Sequence, residues 1–122
     1  YYSFRKNFFF YIFDDVYFNP LRINTLTKII SIIVNKKMFH YSGIYNLGSK
    51  NGIYKNNFAI YFAKKLNIYK KSYINIPVSN LLKVRRSNNM LMNIKKFENK
   101  FYIKLPKIQT EITNECKQNY TK

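Results

Sequence analysis

Residues 37–52 read Lys37-Met-Phe39-His-Tyr41-Ser-Gly43-Ile-Tyr-Asn-Leu47-Gly48-Ser-Lys50-Asn51-Gly52. Phe39 and Tyr41 alternate with polar neighbours and an apolar stretch runs on to Leu47, so Met38 to Leu47 reads as a strand. Asn-Gly tolerates positive φ and closes tight turns, so residues 48–52 read as a hairpin turn into a short strand at Ile53-Tyr54. Upstream, Ile23 to Val34 is rich in β-branched residues and reads as a strand ending in an Asn35-Lys36-Lys37 turn. Downstream, Phe58, Phe62, Leu66 and Tyr69 recur at three and four residues. That apolar face predicts a helix over 57–71, capped by Asn56 or Asn57. Tyr73 to Val78 is extended, with Pro77 near its end. Residues 23–80 therefore read β-β-β-α-β.

Outward from that unit the signals thin. Residues 1–22 form an aromatic N-terminal extension without a sustained period. Residues 81–106 read as a partial second domain, in which Met90–Lys95 and Lys100–Leu105 make a hairpin around Glu98-Asn99. Residues 107–122 are polar and read as a C-terminal tail. The expected fold class is α+β: a β-β-β-α-β domain followed by a truncated second domain that opens with a β-hairpin.

The charge is lopsided. In 122 residues there are 22 Lys plus Arg against 5 Asp plus Glu, a formal net charge of +17. The acids are Asp14, Asp15, Glu98, Glu111 and Glu115, so none falls between Val16 and Phe97. Such a surface repels itself and attracts polyanions: RNA, DNA or anionic lipid. An AT-rich gene would also enrich Lys, Asn, Ile, Tyr and Phe, but it would supply acids as well. The hydrophobic share of 47% is enough for a core, which separates the chain from a disordered basic tail. No segment reaches the roughly 18 apolar residues of a membrane span. Arg5-Lys6 before the apolar run Phe8–Phe13 only faintly resembles a signal peptide, since no small-residue cleavage site follows.

A search for catalytic chemistry finds little. His40 and Ser42 would share a strand face, but no acid stands nearby to orient the imidazole. Asp14-Asp15 reads as a solvated turn or helix cap. Residues 48–52 are too short for a phosphate-cradling loop and have no Lys-Ser/Thr pair leading into a helix. With Cys116 and His40 each single, neither a disulfide nor a Cys/His metal set is expected. The expectation is therefore no enzyme, no cofactor, no metal and no small-molecule substrate. The cations suit phosphate contacts at loop tips and along a helix: Lys28, Lys36, Lys37, His40, Lys50, Asn51, Lys55, Lys64, Lys65, Lys70, Lys71, Arg85, Arg86, Lys95, Lys96, Lys100 and Lys104.

Residues 37–52 resemble small-subunit ribosomal protein five: a basic residue, aromatic-x-aromatic, a small residue, an apolar strand and Gly-containing turns. Ala59 to Lys71 is similar to that family's basic helix, and Ile74-Asn-Ile-Pro77-Val78 to its exit. Lys96-Phe97 through Leu105-Pro106 is similar to the hairpin of its second domain, and Ile23-Asn-Thr-Leu-Thr27-Lys28 to its first strand. The resemblance covers roughly residues 23–110. It departs at Asn35-Lys36, where the family has Gly-Gly, at the shortened Tyr54–Asn57 segment, and after Pro106. It implies a double-stranded-RNA-binding-like first domain and a structural role in the small subunit of an organellar ribosome. The implied partners are small-subunit ribosomal RNA near where messenger RNA enters, the messenger itself, and neighbouring ribosomal proteins. The implied place is the mitochondrial matrix, with a plastid-derived organelle as the alternative. A second expectation from the charge alone is a scaffold or assembly protein docking on an acidic protein or anionic membrane.

Overall fold

In the computed structural model the described residues are 2–6, 8–70, 72–84 and 86–120. The elements in chain order are α1 (Tyr2–Lys6), β1 (Phe10–Phe13), β2 (Tyr17–Phe18), α2 (Ile23–Asn35), β3 (Ile53–Tyr54), α3 (Lys55–Lys65), β4 (Tyr73–Ile76), β5 (Asn89–Met90), α4 (Lys95–Phe101) and α5 (Ile108–Asn119). Short 3-10 turns occupy Met38–His40 and Val78–Asn80.

The strands pair across long sequence separations. β1 runs parallel to β4, with Phe10 opposite Tyr73 and Phe13 opposite Ile76. A parallel pair needs a crossover, and α3 supplies its last leg. Ala59 and Ala63 of α3 lie in one cluster with Phe4, Phe10, Ile12 and Tyr73, which seats the helix on the pair. In a second sheet β2 pairs antiparallel with β3 and parallel with β5.

Two further clusters complete the interior. Ile29 of α2, Phe97 and Phe101 of α4, and Leu105 are buried together, with Tyr41, Tyr45 and Leu47 around them. Ile108, Ile112 and Cys116 of α5 pack on Phe58, Phe62 and Leu66 of α3. Each buried Phe or Ile contributes about 1.5–3 kcal/mol. Glycine matters at two crossings. A Cβ on Gly48 would sit 2.8 Å from the Asn19 carbonyl oxygen, and one on Gly52 would sit 2.5 Å from the Tyr17 ring.

The β-β-β-α-β order is not what the chain adopts. Ile23–Val34 is helical although β-branched, because Ile29 and Ile33 at i, i+4 reach the α4 cluster and tertiary packing overrides strand propensity. Met38–Leu47 begins with a 3-10 turn instead of a strand. The Gly48–Gly52 stretch is no hairpin: Ser49 N–H donates to the Asn19 carbonyl, and the Lys50 backbone bonds Pro106 and Ile108. The expected hairpin around Glu98-Asn99 is α4, since Phe97 and Phe101 stack at 4.7 Å across one helical turn. Residues read as a polar tail contain α5, with Ile108, Glu111, Ile112 and Cys116 buried.

Other expectations match the observed elements. β3 lies at Ile53–Tyr54 and β4 within 73–78. The helix expected over 57–71 is α3, but it starts at Lys55 and stops at Lys65. Asn67 turns left-handed (φ 55°) and Ile68 N–H donates to the Ala63 carbonyl at 3.0 Å, a helix-ending pattern that Asn tolerates.

Candidate functional site

In open parallel sheets, ligands bind in the crevice beyond the carboxyl ends of the strands. Here β1 and β4 end side by side at Phe13 and Ile76, and the chain leaves them as Asp14-Asp15-Val16 and Pro77-Val78. Asp15 ties the exits together. Its Oδ1 accepts the Val78 amide at 2.9 Å and its Oδ2 accepts the Asn88 side-chain amide at 2.7 Å. The Asn88 carbonyl in turn accepts the Tyr17 amide at 2.8 Å. Val78 and Asn88 are thereby both tied to Asp15 beside the strand ends.

Two adjoining cavities open there. One, of about 260 Å³, is lined by Phe13, Val16, Lys55, Val78, Leu82, Arg86, Ser87 and Met90. The other, of about 330 Å³, shares Val78, Leu82 and Arg86 and adds Asp15, Ser79, Lys83, Val84 and Asn88. The floor is apolar and three cations, Lys55, Lys83 and Arg86, stand on the walls. The one lining carboxylate, Asp15, already accepts on both oxygens. The Lys55 ammonium leans over the Phe13 and Phe18 rings, 5.8 and 5.9 Å from their centroids. The arrangement favours an anion carrying an apolar or aromatic body; Arg offers a planar fork for phosphate oxygens and Lys a point charge.

The cations marked in the sequence mostly lie apart. Lys55 and Arg86 meet in this crevice; Lys71 and Arg85 lie outside the described residues. Lys50, Asn51 and Lys95 line a separate depression beside Asn19 and Glu98. Lys96 and Lys100 sit over the Tyr45 and Tyr41 rings, and Lys64 and Lys65 over Tyr69 and Tyr61. Lys104 pairs with Glu98 at 3.9 Å. Lys28, Lys36, Lys37, His40 and Lys70 are exposed on other parts of the surface. His40 lies in a 3-10 turn with its ring edge-on to Tyr41, not on a strand beside Ser42.

The sequence alone does not single out Asp15, Ser87 or Asn88 as site residues, whereas Lys83 belongs to the basic cluster with Arg85 and Arg86 that suits phosphate contacts. One signal pointed to the first: Asp15 follows the apolar run Phe8–Phe13, the position of a strand's carboxyl end. Nothing local marks Ser87 or Asn88.

No protein-family model and no curated protein matches the chain's sequence. Its fold does match solved structures. The dTDP-4-dehydrorhamnose reductase of Bacillus anthracis str. Ames, in complex with NADP, superposes with a TM-score of 0.80 at 11% identity, over 97% of this chain and 41% of that one. The dTDP-4-dehydrorhamnose reductase of Yersinia enterocolitica gives 0.75 at 15% identity, over 93% and 39%. The chain shares its fold with these reductases. It spans about two fifths of their length.

That likeness corrects the ribosomal expectation. The fold these two structures share with the chain, in which β1 and β4 run parallel, stands where a double-stranded-RNA-binding-like domain and a truncated second domain were expected. The resemblance to small-subunit ribosomal protein five rests on short pieces, and two of those read as strands, 23–28 and 96–106, fall largely on helices. Ribosomal RNA, ribosomal proteins and messenger RNA lose their support as partners with it, and so does the role of a ribosomal constituent. The scaffold alternative gains no support. The expectation of a protein that is no enzyme is contradicted as well, since both neighbours are reductases. No helix among the described residues is long and apolar enough to cross a membrane.

Proposed function

We propose that this chain is the substrate-side portion of an NAD(P)-dependent reductase of a nucleotide-linked sugar, and that the crevice at the ends of β1 and β4 holds the substrate's diphosphate. The observation that carries the reading is the placement of Lys55, Lys83 and Arg86 around that crevice, in a fold shared with two enzymes named for a dTDP-sugar. A nucleotide-linked sugar matches the lining: the cations face its diphosphate, and the apolar floor faces its base or sugar.

NADP also carries a diphosphate, but the chain's glycines do not fit it. A dinucleotide phosphate turn needs Gly-x-Gly-x-x-Gly between a strand and a helix. Here the three glycines are Gly43, Gly48 and Gly52. Gly48 is closed off by Asn19 and Gly52 by Tyr17, and neither opens a helix. The dinucleotide phosphates therefore belong on residues outside this chain, and the crevice belongs to the substrate.

The test is NADPH consumption with dTDP-4-dehydrorhamnose by the protein that carries this chain, wild type against Arg86→Ala. Losing one charge-assisted phosphate bond of about 1.5–3 kcal/mol predicts a KM raised at least about tenfold with kcat little changed. An absence of turnover in the wild type, or an unchanged KM in the variant, contradicts the proposal.

A further inference from the structure

Lys83 and Arg86 stand on residues 78–88, a stretch whose regular structure, among the described residues, is the 3-10 turn Val78–Asn80. Leu81 and Val84 in it are exposed. Among the described residues, every hydrogen bond of 79–87 closes within 77–89. The amides of Asn80, Leu81 and Leu82 donate to the carbonyls of Pro77 and Val78. The hydroxyls of Ser79 and Ser87 donate to Asn80 and Asn89. Both ends of the stretch, however, meet one carboxylate. Asp15 Oδ1 accepts the Val78 N–H at 2.9 Å, and Oδ2 accepts the Asn88 side-chain N–H at 2.7 Å. A further bond, from the Tyr17 N–H to the Asn88 carbonyl, holds the far end alone.

Charge alone argues against an acid at this place. A carboxylate on the wall of an anion crevice repels the phosphate held there, and the chain has only five acids to place. Among the described residues no ion pair joins Asp15 to Lys83 or Arg86, so it aims neither cation directly. What it does is close the loop that carries both. A loop closed before the ligand arrives has less freedom to lose on binding, and that gain opposes the repulsion. We propose that Asp15 is a positioning residue of the crevice: its carboxylate shuts the 78–88 loop, so that Lys83 and Arg86 meet the substrate's diphosphate together. The inference rests on the reading above that this crevice holds that diphosphate.

The test is calorimetric titration with dTDP of the protein that carries this chain, comparing wild type with Asp15→Ala, Asp15→Asn and Asn88→Ala. Asp15→Ala removes the repelling charge and the closure together. The proposal expects dTDP to bind about tenfold more weakly, whereas a carboxylate acting only through its charge predicts tighter binding. Asp15→Asn keeps the Val78 bond and, with the Asn88 amide turned over, the Asn88 bond; it should bind at least as tightly as wild type. Asn88→Ala leaves the charge and the Val78 bond but opens the far end. It should weaken binding about threefold or more, and it decides the matter where Asp15→Ala does not fold. Arg86→Ala should cost less in the Asp15→Ala background than in wild type, since the guanidinium has already lost its place. Equal or tighter binding by Asp15→Ala or Asn88→Ala overturns the positioning role and leaves the substrate assignment. So does a loss in Asp15→Asn as large as in Asp15→Ala, or additive losses from Asp15→Ala and Arg86→Ala. No dTDP binding by the wild type removes that assignment, and the positioning role with it.

Discussion

The Glu111 carboxylate accepts the backbone N–H of Arg22 at 2.7 Å, so a residue of α5 caps the start of α2 across 89 positions of sequence. Its other oxygen accepts the Thr25 hydroxyl at 2.9 Å. An unpaired helix N-terminus carries open donors and partial positive charge, and a buried carboxylate satisfies both. Glu111 is only 3% exposed. Glu111→Ala leaves these part-buried donors without their acceptor and is expected to cost about 1–3 kcal/mol. The drop would show in the urea midpoint, with Glu111→Gln recovering part of it.

The neighbouring Glu115 makes stability depend on pH. Arg22 Nε donates to it at 2.9 Å and Asn119 Nδ2 at 2.7 Å; these bonds, the Arg22 one foremost, hold its carboxyl below its usual range. A group whose folded value is depressed is protonated first in the unfolded chain as pH falls. Its contribution is complete above the ordinary glutamate range and disappears as pH drops through the folded value. The side chain is 32% exposed, so the contribution is about 0.5–1 kcal/mol. Thermal melts from pH 7 to pH 3 should fall more steeply for the wild type than for Glu115→Gln.

Asn19 clamps three segments. Its Nδ2 donates to the carbonyls of Ser49 and Met92, and its Oδ1 accepts the Met92 amide at 2.8 Å. Asn19→Ala leaves the buried Ser49 carbonyl and the part-buried Met92 backbone without this partner and is expected to cost about 1–3 kcal/mol. Gly48→Ala forces a methyl within 2.6 Å of the Asn19 side-chain nitrogen and 2.8 Å of its backbone oxygen, and should cost about 1–3 kcal/mol. Because the two act at one contact, the double variant should lose less than the sum, read by equilibrium denaturation.

Phe97 is 2% exposed and stacked on Phe101. Phe97→Ala empties the cluster that joins α2 to α4 and is expected to cost about 3–5 kcal/mol. If Met90–Lys95 and Lys100–Leu105 formed the hairpin around Glu98-Asn99 that the local sequence suggests, Phe97 would lie in its turn and an alanine there would cost far less.

The legible parts of the fold were those with local, regular signals. The Phe58, Phe62, Leu66 spacing marked α3, and Pro77 marked the end of β4. Helix α2 was hidden by its β-branched composition, although Ile29 and Ile33 already stood one turn apart. In α5 the spacing Ile108, Ile112, Cys116 is a helical stripe, but so polar a surround masks three buried positions. The parallel pairings were invisible because Phe10 meets Tyr73 through a long crossover that no local pattern encodes. Charge was the most persuasive and least specific signal. Several lysines lie over tyrosine rings, and an excess of Lys is common to many anion partners. Lys55 and Arg86 share a crevice only because the strand ends bring them there, with Asp15 holding the intervening loop in place.

The central claim is that the diphosphate of a nucleotide is held by the cations at the ends of β1 and β4. Calorimetric titration with dTDP tests it most directly, comparing wild type with Arg86→Ala and Lys83→Ala and using Lys36→Ala as a control on a remote cation. Saturable binding that weakens about tenfold in each crevice variant, falls with added salt and is unchanged in the control is the predicted result. Equal affinity in all four proteins, or no binding by the wild type, would contradict it.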